Sequence, residues 1–205
     1  VVVGPDLARM RVAIRDRDLA LHDLVLHRGE HALVLGPARS GRTSALETVA
    51  RASEVPVIVV AEGDLAERLE IAPTAPGEVV AAVVGRPALV LVDDALGVAD
   101  PAGVLADLVA SPPPGCHVVA SARPDRLRAA YGHWLGAVRE SRAGLLLQPE
   151  PLDGDLLGVG LPARLDLPRV PGRGVAVADG RAEVVQVVWS GAEPACRSPT
   201  RHSEG

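Results

Sequence analysis

The residues of this 205-residue chain whose types and spacing could do chemistry lie in three short stretches. In "ALVLGPARSGRTSALETVA", Ala32 to Ala50, an apolar run meets a loop framed by Gly36 and Gly41, then Arg42, Thr43, Ser44 and a helical pattern. Two glycines with four residues between them, followed by a basic residue and a hydroxyl, between a strand and a helix, is the spacing of a loop that binds phosphate. The glycines let successive N–H groups turn inward around phosphate oxygens. The helix N-terminus adds its positive dipole end, and a hydroxyl in the first turn can ligate Mg²⁺. Gly36, Arg39, Ser40, Gly41, Arg42, Thr43 and Ser44 are therefore candidate nucleotide-binding residues, with Thr43 also a metal candidate. The competing reading is a tight strand-to-helix turn with no ligand.

Arg42 stands where such a loop carries lysine. Lysine offers a compact ammonium on a slim stem, whereas guanidinium is broad, planar and forked. The substitution predicts weakened ATP affinity, impaired hydrolysis, or both. The second stretch, "LVLVDD", ends an apolar run on Asp93 and Asp94, about fifty residues beyond the loop. Asp93 is the expected metal-holding carboxylate, and Asp94 the candidate catalytic carboxylate that would polarise an attacking water. An isolated Asp-Asp pair would read only as a turn or a helix cap. The third stretch, "CHVVASA", places Ser121 at a strand end, as a candidate for orienting water or as a plain strand-end serine. Arg123 reads as a solvated loop residue, the alternative being an arginine that reaches a phosphate or a neighbouring subunit; the six histidines show no metal-ligand spacing, and Trp134 reads as core.

The elements that must hold these residues alternate. Strand patterns at "VPVIVVA", "PALVLV", "CHVVASA" and "LLLQP" are separated by helical ones, which predicts a parallel sheet covered by helices, an α/β fold. Arg11 to Leu26 reads as one or two strands before the Gly29 turn. "GVAVADGRAEVVQVV" reads as a C-terminal β-hairpin turning at Asp179 and Gly180. Asp100 and Pro101 are expected to start a helix that runs to about Ala110. "PDRLRAAYGHWLGAVRESRAG" predicts one long amphipathic helix, with Leu127, Tyr131, Trp134, Leu135 and Val138 on one face and Gly144 at its end. Residues 1–189 form the expected domain, and 190–205 an expected disordered tail.

Nearly half of the chain, 48%, is apolar, yet Phe is absent, so the core must be built from Val, Leu, Ile and Ala. The net charge of −5 provides no general attraction for nucleic acid. Cys116 and Cys196 fit neither a disulfide framework nor a zinc site, which favours a reducing compartment. No apolar run reaches membrane-span length, and no signal-peptide pattern opens the chain. A start at Val1 reads as a fragment or excised domain, with any membrane or targeting parts expected upstream.

Together, "GEHALVLGPARSGRTSAL", "ALVLVDDA", "SARPDRLRAAYGHW", "LLLQPEPLDGDLLGVGLP" and "PGRGVAVADGRAEVVQV" resemble a domain of the FtsK/SpoIIIE family of RecA-like motors. The likeness is to the last of the tandem ATPase domains in actinobacterial members, including those of type VII secretion, and spans most of residues 10–189. It implies a RecA-like P-loop NTPase fold binding ATP and Mg²⁺ in a hexameric ring. The implied substrates are double-stranded DNA or small helical export proteins, and the implied place is the cytoplasmic part of a membrane-associated bacterial protein. Residue by residue, it puts the phosphate loop on Gly36, Ser40, Gly41, Arg42, Thr43 and Ser44, the metal aspartate on Asp93, the catalytic carboxylate on Asp94 and the polar sensor on Ser121. It also implies that late tandem domains can be degenerate, serving assembly, regulation or docking.

Overall fold

A computed structural model describes residues 7–60 and 63–189; the expected tail at 190–205, with Cys196, lies outside the described residues. One nine-stranded sheet organises the chain, in the order β2-β1-β9-β8-β7-β3-β6-β5-β4. Its parallel block comprises β3 (Ala32–Leu35), β4 (Val57–Val60), β5 (Ala88–Val92), β6 (Cys116–Ala122) and β7 (Gly144–Leu147). The hairpin of β8 (Arg173–Ala178) and β9 (Arg181–Val187) extends it antiparallel through β7, and β1 (Leu7–Arg15) with β2 (Leu21–His27) completes the edge. The hairpin turns at Asp179 (φ 51°) and Gly180 (φ 69°), as two successive positive-φ residues require.

Period-two burial splits the core. Leu33, Leu35, Val90, Val92, Val118 and Ala120 face α3 (Val79–Val83), α4 (Val104–Ala110), α5 (Pro124–Ala129) and α6 (Leu135–Glu140). On the other face Ala32, Val34, Leu89, Leu91 and Val119 pack with α1 (Arg42–Arg51) and α2 (Asp64–Leu69). Ser121 keeps the parity of Val119 and so lies on the α1 side. The chain leaves β3 through α1 for β4 at the far edge, then returns through β5 and β6 to β3 before crossing to β7. The sequence order therefore reverses around β3, and a ligand crevice forms beyond the carboxyl ends of strands at such a point.

Three local expectations are corrected. The expected long helix is two short ones, α5 and α6, broken where Gly132 takes φ 71°; Tyr131 leaves the apolar face and is 93% exposed, while Leu127, Trp134, Leu135 and Val138 stay buried. Gly144 opens β7 instead of closing a helix: at φ 150° its missing side chain lets the Leu33 carbonyl approach to 1.9 Å from where a Cβ would sit. Asp100 and Pro101 precede the helix by a turn. Asp100 Oδ1 accepts from the Val104 N–H (2.8 Å) and Oδ2 from the Leu105 N–H (2.9 Å), capping α4 across the intervening Gly103.

The end of the sheet opposite the loop holds two buried histidines. His31 Nε2 donates to the Val109 carbonyl (3.1 Å), while its Nδ1 accepts from the Val118 N–H (3.0 Å), so the neutral ring is fully bonded. Burial lowers the pKa of His31 and of His117 from 6.5, and protonating His31 Nδ1 would also break the Val118 bond. A depressed histidine pKa means that the unfolded chain takes up protons first. The stability held by neutral His31 is complete above the ordinary value of 6.5 and is lost as pH falls through it. Urea midpoints should therefore drop between about pH 7.5 and about pH 5, with a shallower drop in His31→Asn; an undiminished slope would remove His31 as its source.

Candidate functional site

Between β3 and α1, residues Gly36 to Gly41 curl back on themselves. The Ser40 N–H donates to the Pro37 carbonyl (3.3 Å), and a Cβ on Gly36 would lie 2.4 Å from Ser40 Oγ and 2.9 Å from the Leu147 carbonyl. Gly41 has φ 95° at the N-cap of α1, with no side-chain cap, so the first-turn amides have no partner from a capping side chain. Ser40 Oγ and Arg42 Nε are buried without a hydrogen-bond partner. A glycine-framed turn with orphaned polar atoms and an uncapped helix start fits an anionic group such as a phosphate.

Arg42 points into this loop. Its guanidinium donates to the Gly36 carbonyl (2.6 Å) and the Pro37 carbonyl (3.1 Å) and lies 3.6 Å from Asp94 Oδ1. Arg39 is exposed, at φ 64°, on the rim. Ser44 Oγ accepts from Arg68 of α2 (3.2 Å), an arginine held in turn by Asp64 (2.7 Å) and Glu47 (3.7 Å).

The three stretches singled out in the sequence converge on one carboxylate. Asp93, directly after β5, accepts from Thr43 Oγ1 at Oδ2 (2.7 Å) and from Ser121 Oγ at Oδ1 (2.5 Å). The Asp94 N–H, at φ 43°, donates to Ser121 Oγ (2.9 Å) and to Asp93 Oδ1 (3.0 Å). β6 lies between β3 and β5, and Ser121 pairs in register with Val34, so it stands beside the loop strand while its hydroxyl reaches the aspartates. Thr43 and Asp93 together offer a hydroxyl and one carboxylate, the sparse protein donor set that suits Mg²⁺ completed by phosphate and water oxygens. Arg123 lies apart, engaged by Asp125 in two hydrogen bonds (3.1 and 2.8 Å) that hold the Asp125 carboxyl below its usual range. Among the described residues no group of three His, Cys, Asp or Glu side chains could hold a metal. Burial raises the Cys116 thiol to about 11, which leaves it unreactive.

The sequence matches no family model and no curated protein. Its architecture does match solved structures. EssC (ATPases 2 and 3) from Geobacillus thermodenitrificans shares 16% identity over 91% of this chain and 42% of its own, with a TM-score of 0.71. EccC (ATPases 2 and 3) from Thermomonospora curvata, in complex with a signal sequence peptide, shares 18% identity over 90% and 41%, with a TM-score of 0.68. The pCW3 conjugation coupling protein TcpA, in a monomer form with ATPγS, shares 15% identity over 92% and 67%, with a TM-score of 0.56. The fold is that of an FtsK/SpoIIIE-type ATPase domain. At these identities it is the fold that is shared, and the chain spans about two fifths of the EssC and EccC chains it matches.

Around this loop the structure adds contacts that residue patterns do not reveal. The Gly172 N–H donates to the Ser40 carbonyl (2.8 Å), and a Cβ on Gly41 would lie 3.0 Å from Gly172 N, so the "PGRG" segment closes on the loop from about 130 residues away. Thr48 Oγ1 donates to the Val188 carbonyl (2.6 Å), fastening α1 to the chain after β9. Arg68 had one local signal, the i,i+4 spacing from Asp64; Gly172 had none.

Removing the Ser121 hydroxyl would cut one bond to Asp93 and withdraw one acceptor from the Asp94 N–H. Ser121→Ala is expected to destabilise the domain by about 1–3 kcal/mol, read as a lower urea midpoint with an unchanged m-value. A neutral result would mean that the Asp93 cluster is not a structural joint.

Proposed function

We propose that this chain is the nucleotide-binding domain of an FtsK/SpoIIIE-type translocase, taking ATP with Mg²⁺ at the loop and turning it over slowly. The convergence of Thr43, Asp93 and Ser121 on one cluster beside an uncapped, glycine-framed loop carries this reading. In it, the backbone of Gly36 to Gly41 and the first turn of α1 bind the phosphates, with Ser40, Ser44 and the rim Arg39 beside them. Thr43 and Asp93 hold Mg²⁺, which would neutralise phosphate charge when bound. Ser121 fixes Asp93 and the Asp94 backbone, and the exposed Asp94 carboxylate accepts the proton of an attacking water.

Arg42 limits that chemistry twice. To reach a phosphate it must release the Gly36 and Pro37 carbonyls, and where it stands its charge offsets the Asp94 carboxylate. Slow turnover follows. A hexameric ring would complete the site with a neighbour's arginine. The net charge of −5 and the peptide-bound EccC neighbour favour a secreted helical protein over double-stranded DNA as the substrate. On this reading the domain belongs to the cytoplasmic part of a membrane-associated bacterial protein; a solved structure of the same fold is described as the cytoplasmic domain of EssC. Among the described residues no helix is long and apolar enough to cross a membrane.

The same Arg42 contacts favour a second reading, a non-hydrolysing docking or regulatory module. Calorimetry with Mg-ATP and a phosphate-release assay separate the two. Nucleotide reading: the native chain binds, Arg42→Lys binds about tenfold tighter and releases phosphate faster, and Asp93→Asn loses the Mg²⁺ dependence. If the native chain binds no nucleotide and Arg42→Lys restores binding, the docking module is the correct reading. Assembly state must be measured alongside, because a ring-completed site is silent in a monomer.

A further inference from the structure

A concavity of about 200 Å³, which Asp93 does not line, adjoins the loop at Gly41 and Ser44. Gly41, Ser44 and Ala45 at the start of α1 form one wall, Pro171 and Gly172 another, and Gln186 to Trp189 the third. Whole small-molecule sites usually occupy about 300–1,000 Å³, so this pocket suits one planar group and not a complete nucleotide. Its side chains are mostly apolar, and Trp189 at its edge is 56% exposed. The chain has only two tryptophans and one tyrosine, and the other indole, Trp134, is buried in the core.

The polar groups of the walls are largely engaged. The Gln186 side-chain amide donates to the carbonyls of Pro171 (3.1 Å) and Val187 (3.3 Å). The Val187 N–H is bonded to the Gly172 carbonyl, the Val188 N–H to Val12, and the Val188 carbonyl to Thr48. The pocket therefore offers faces to stack on and few free groups to read the edge of a ring.

We infer that this pocket is the stacking site for the base of a purine nucleotide, with Trp189 as its platform and with little discrimination between adenine and guanine. The inference rests on the nucleotide reading, because Gly41 and Ser44 belong to both the pocket and the loop, so an occupant of one continues into the other. A two-ring base presents the larger face to an indole. Discrimination by orders of magnitude requires polar groups left unpaired by the wrong base, and the engaged amides here supply little of that penalty.

The test uses the full chain carrying Trp134→Phe, which leaves Trp189 as the sole indole and removes a buried, unpartnered N–H. Mg-ATP and Mg-GTP should quench Trp189 emission and bind within about threefold of each other by calorimetry. Adding Trp189→Ala should weaken both about tenfold while leaving inorganic tripolyphosphate unaffected, and Trp189→Phe should recover most of the loss. Unchanged nucleotide affinity in Trp189→Ala, without quenching in its parent, would overturn the base site and leave the phosphate loop standing. A preference beyond about a hundredfold for one purine would show that the edge is read, overturning the stacking-only pocket. Failure of both ATP and tripolyphosphate to bind would remove the nucleotide reading and the base site with it.

Discussion

The Asp93 carboxylate is where three separately formed parts of the domain meet. Thr43 brings the first turn of α1, Ser121 the end of β6, and the Asp94 N–H the turn after β5. A carboxylate accepting several hydrogen bonds is held in one orientation by its donors, and each donor is oriented in return. Asp93 therefore ties the helix that follows the loop to the ends of two neighbouring strands. It also explains why Asp94 tolerates φ 43°: its N–H is anchored to both Ser121 and Asp93, so the surroundings over-determine a backbone shape that is unfavourable alone.

The opposite wall is governed by close backbone approach. β7 sits against β3 only because Gly144 has no side chain, and β8 sits against β7 for the same reason at Gly174, where a Cβ would lie 2.1 Å from the Leu146 carbonyl. That packing places Leu147 beside Gly36 and sets the β8–β9 hairpin at the distance from which Pro171 and Gly172 reach the loop. The antiparallel extension is thus part of the site's construction: it turns an open strand-to-helix loop into one clamped from both sides.

Short continuous apolar runs were enough to read the parallel strands, and residue chemistry brought Gly36 to Ser44, Asp93, Asp94 and Ser121 into view, because they sit at strand ends or in the turn and helix start that follow, where spacing carries meaning. The split helix was not legible. A 3.6-residue pattern continues through "YGHW" whether or not the chain bends, and only the left-handed Gly132 stops it. Gly144 misled for a related reason: a glycine that permits a helix end and one that permits strand contact look alike until the neighbour is placed. The loop's distant partners were invisible because Gly172 acts through its backbone N–H, which any residue but proline would supply.

Arg42 shows how one substitution redistributes charge without dismantling a site. The three donors that meet at Asp93, from Thr43, Ser121 and the Asp94 N–H, do not involve position 42, so that cluster stands whichever cation occupies it. What the guanidinium changes is the resting arrangement. Its fork has enough N–H groups to bridge the Gly36 and Pro37 carbonyls while facing Asp94, so it links the start of the loop to the catalytic candidate across the mouth of the site. A lysine ammonium, a point donor on a flexible stem, has less reach to hold both at once. On the nucleotide reading, binding requires this bridge to open on the carbonyl side, whereas turnover requires it to open on the Asp94 side as well. The two steps are separable, and the second carries the additional electrostatic cost. On that reading the asymmetry penalises turnover more than binding, because only turnover must free Asp94 from the guanidinium.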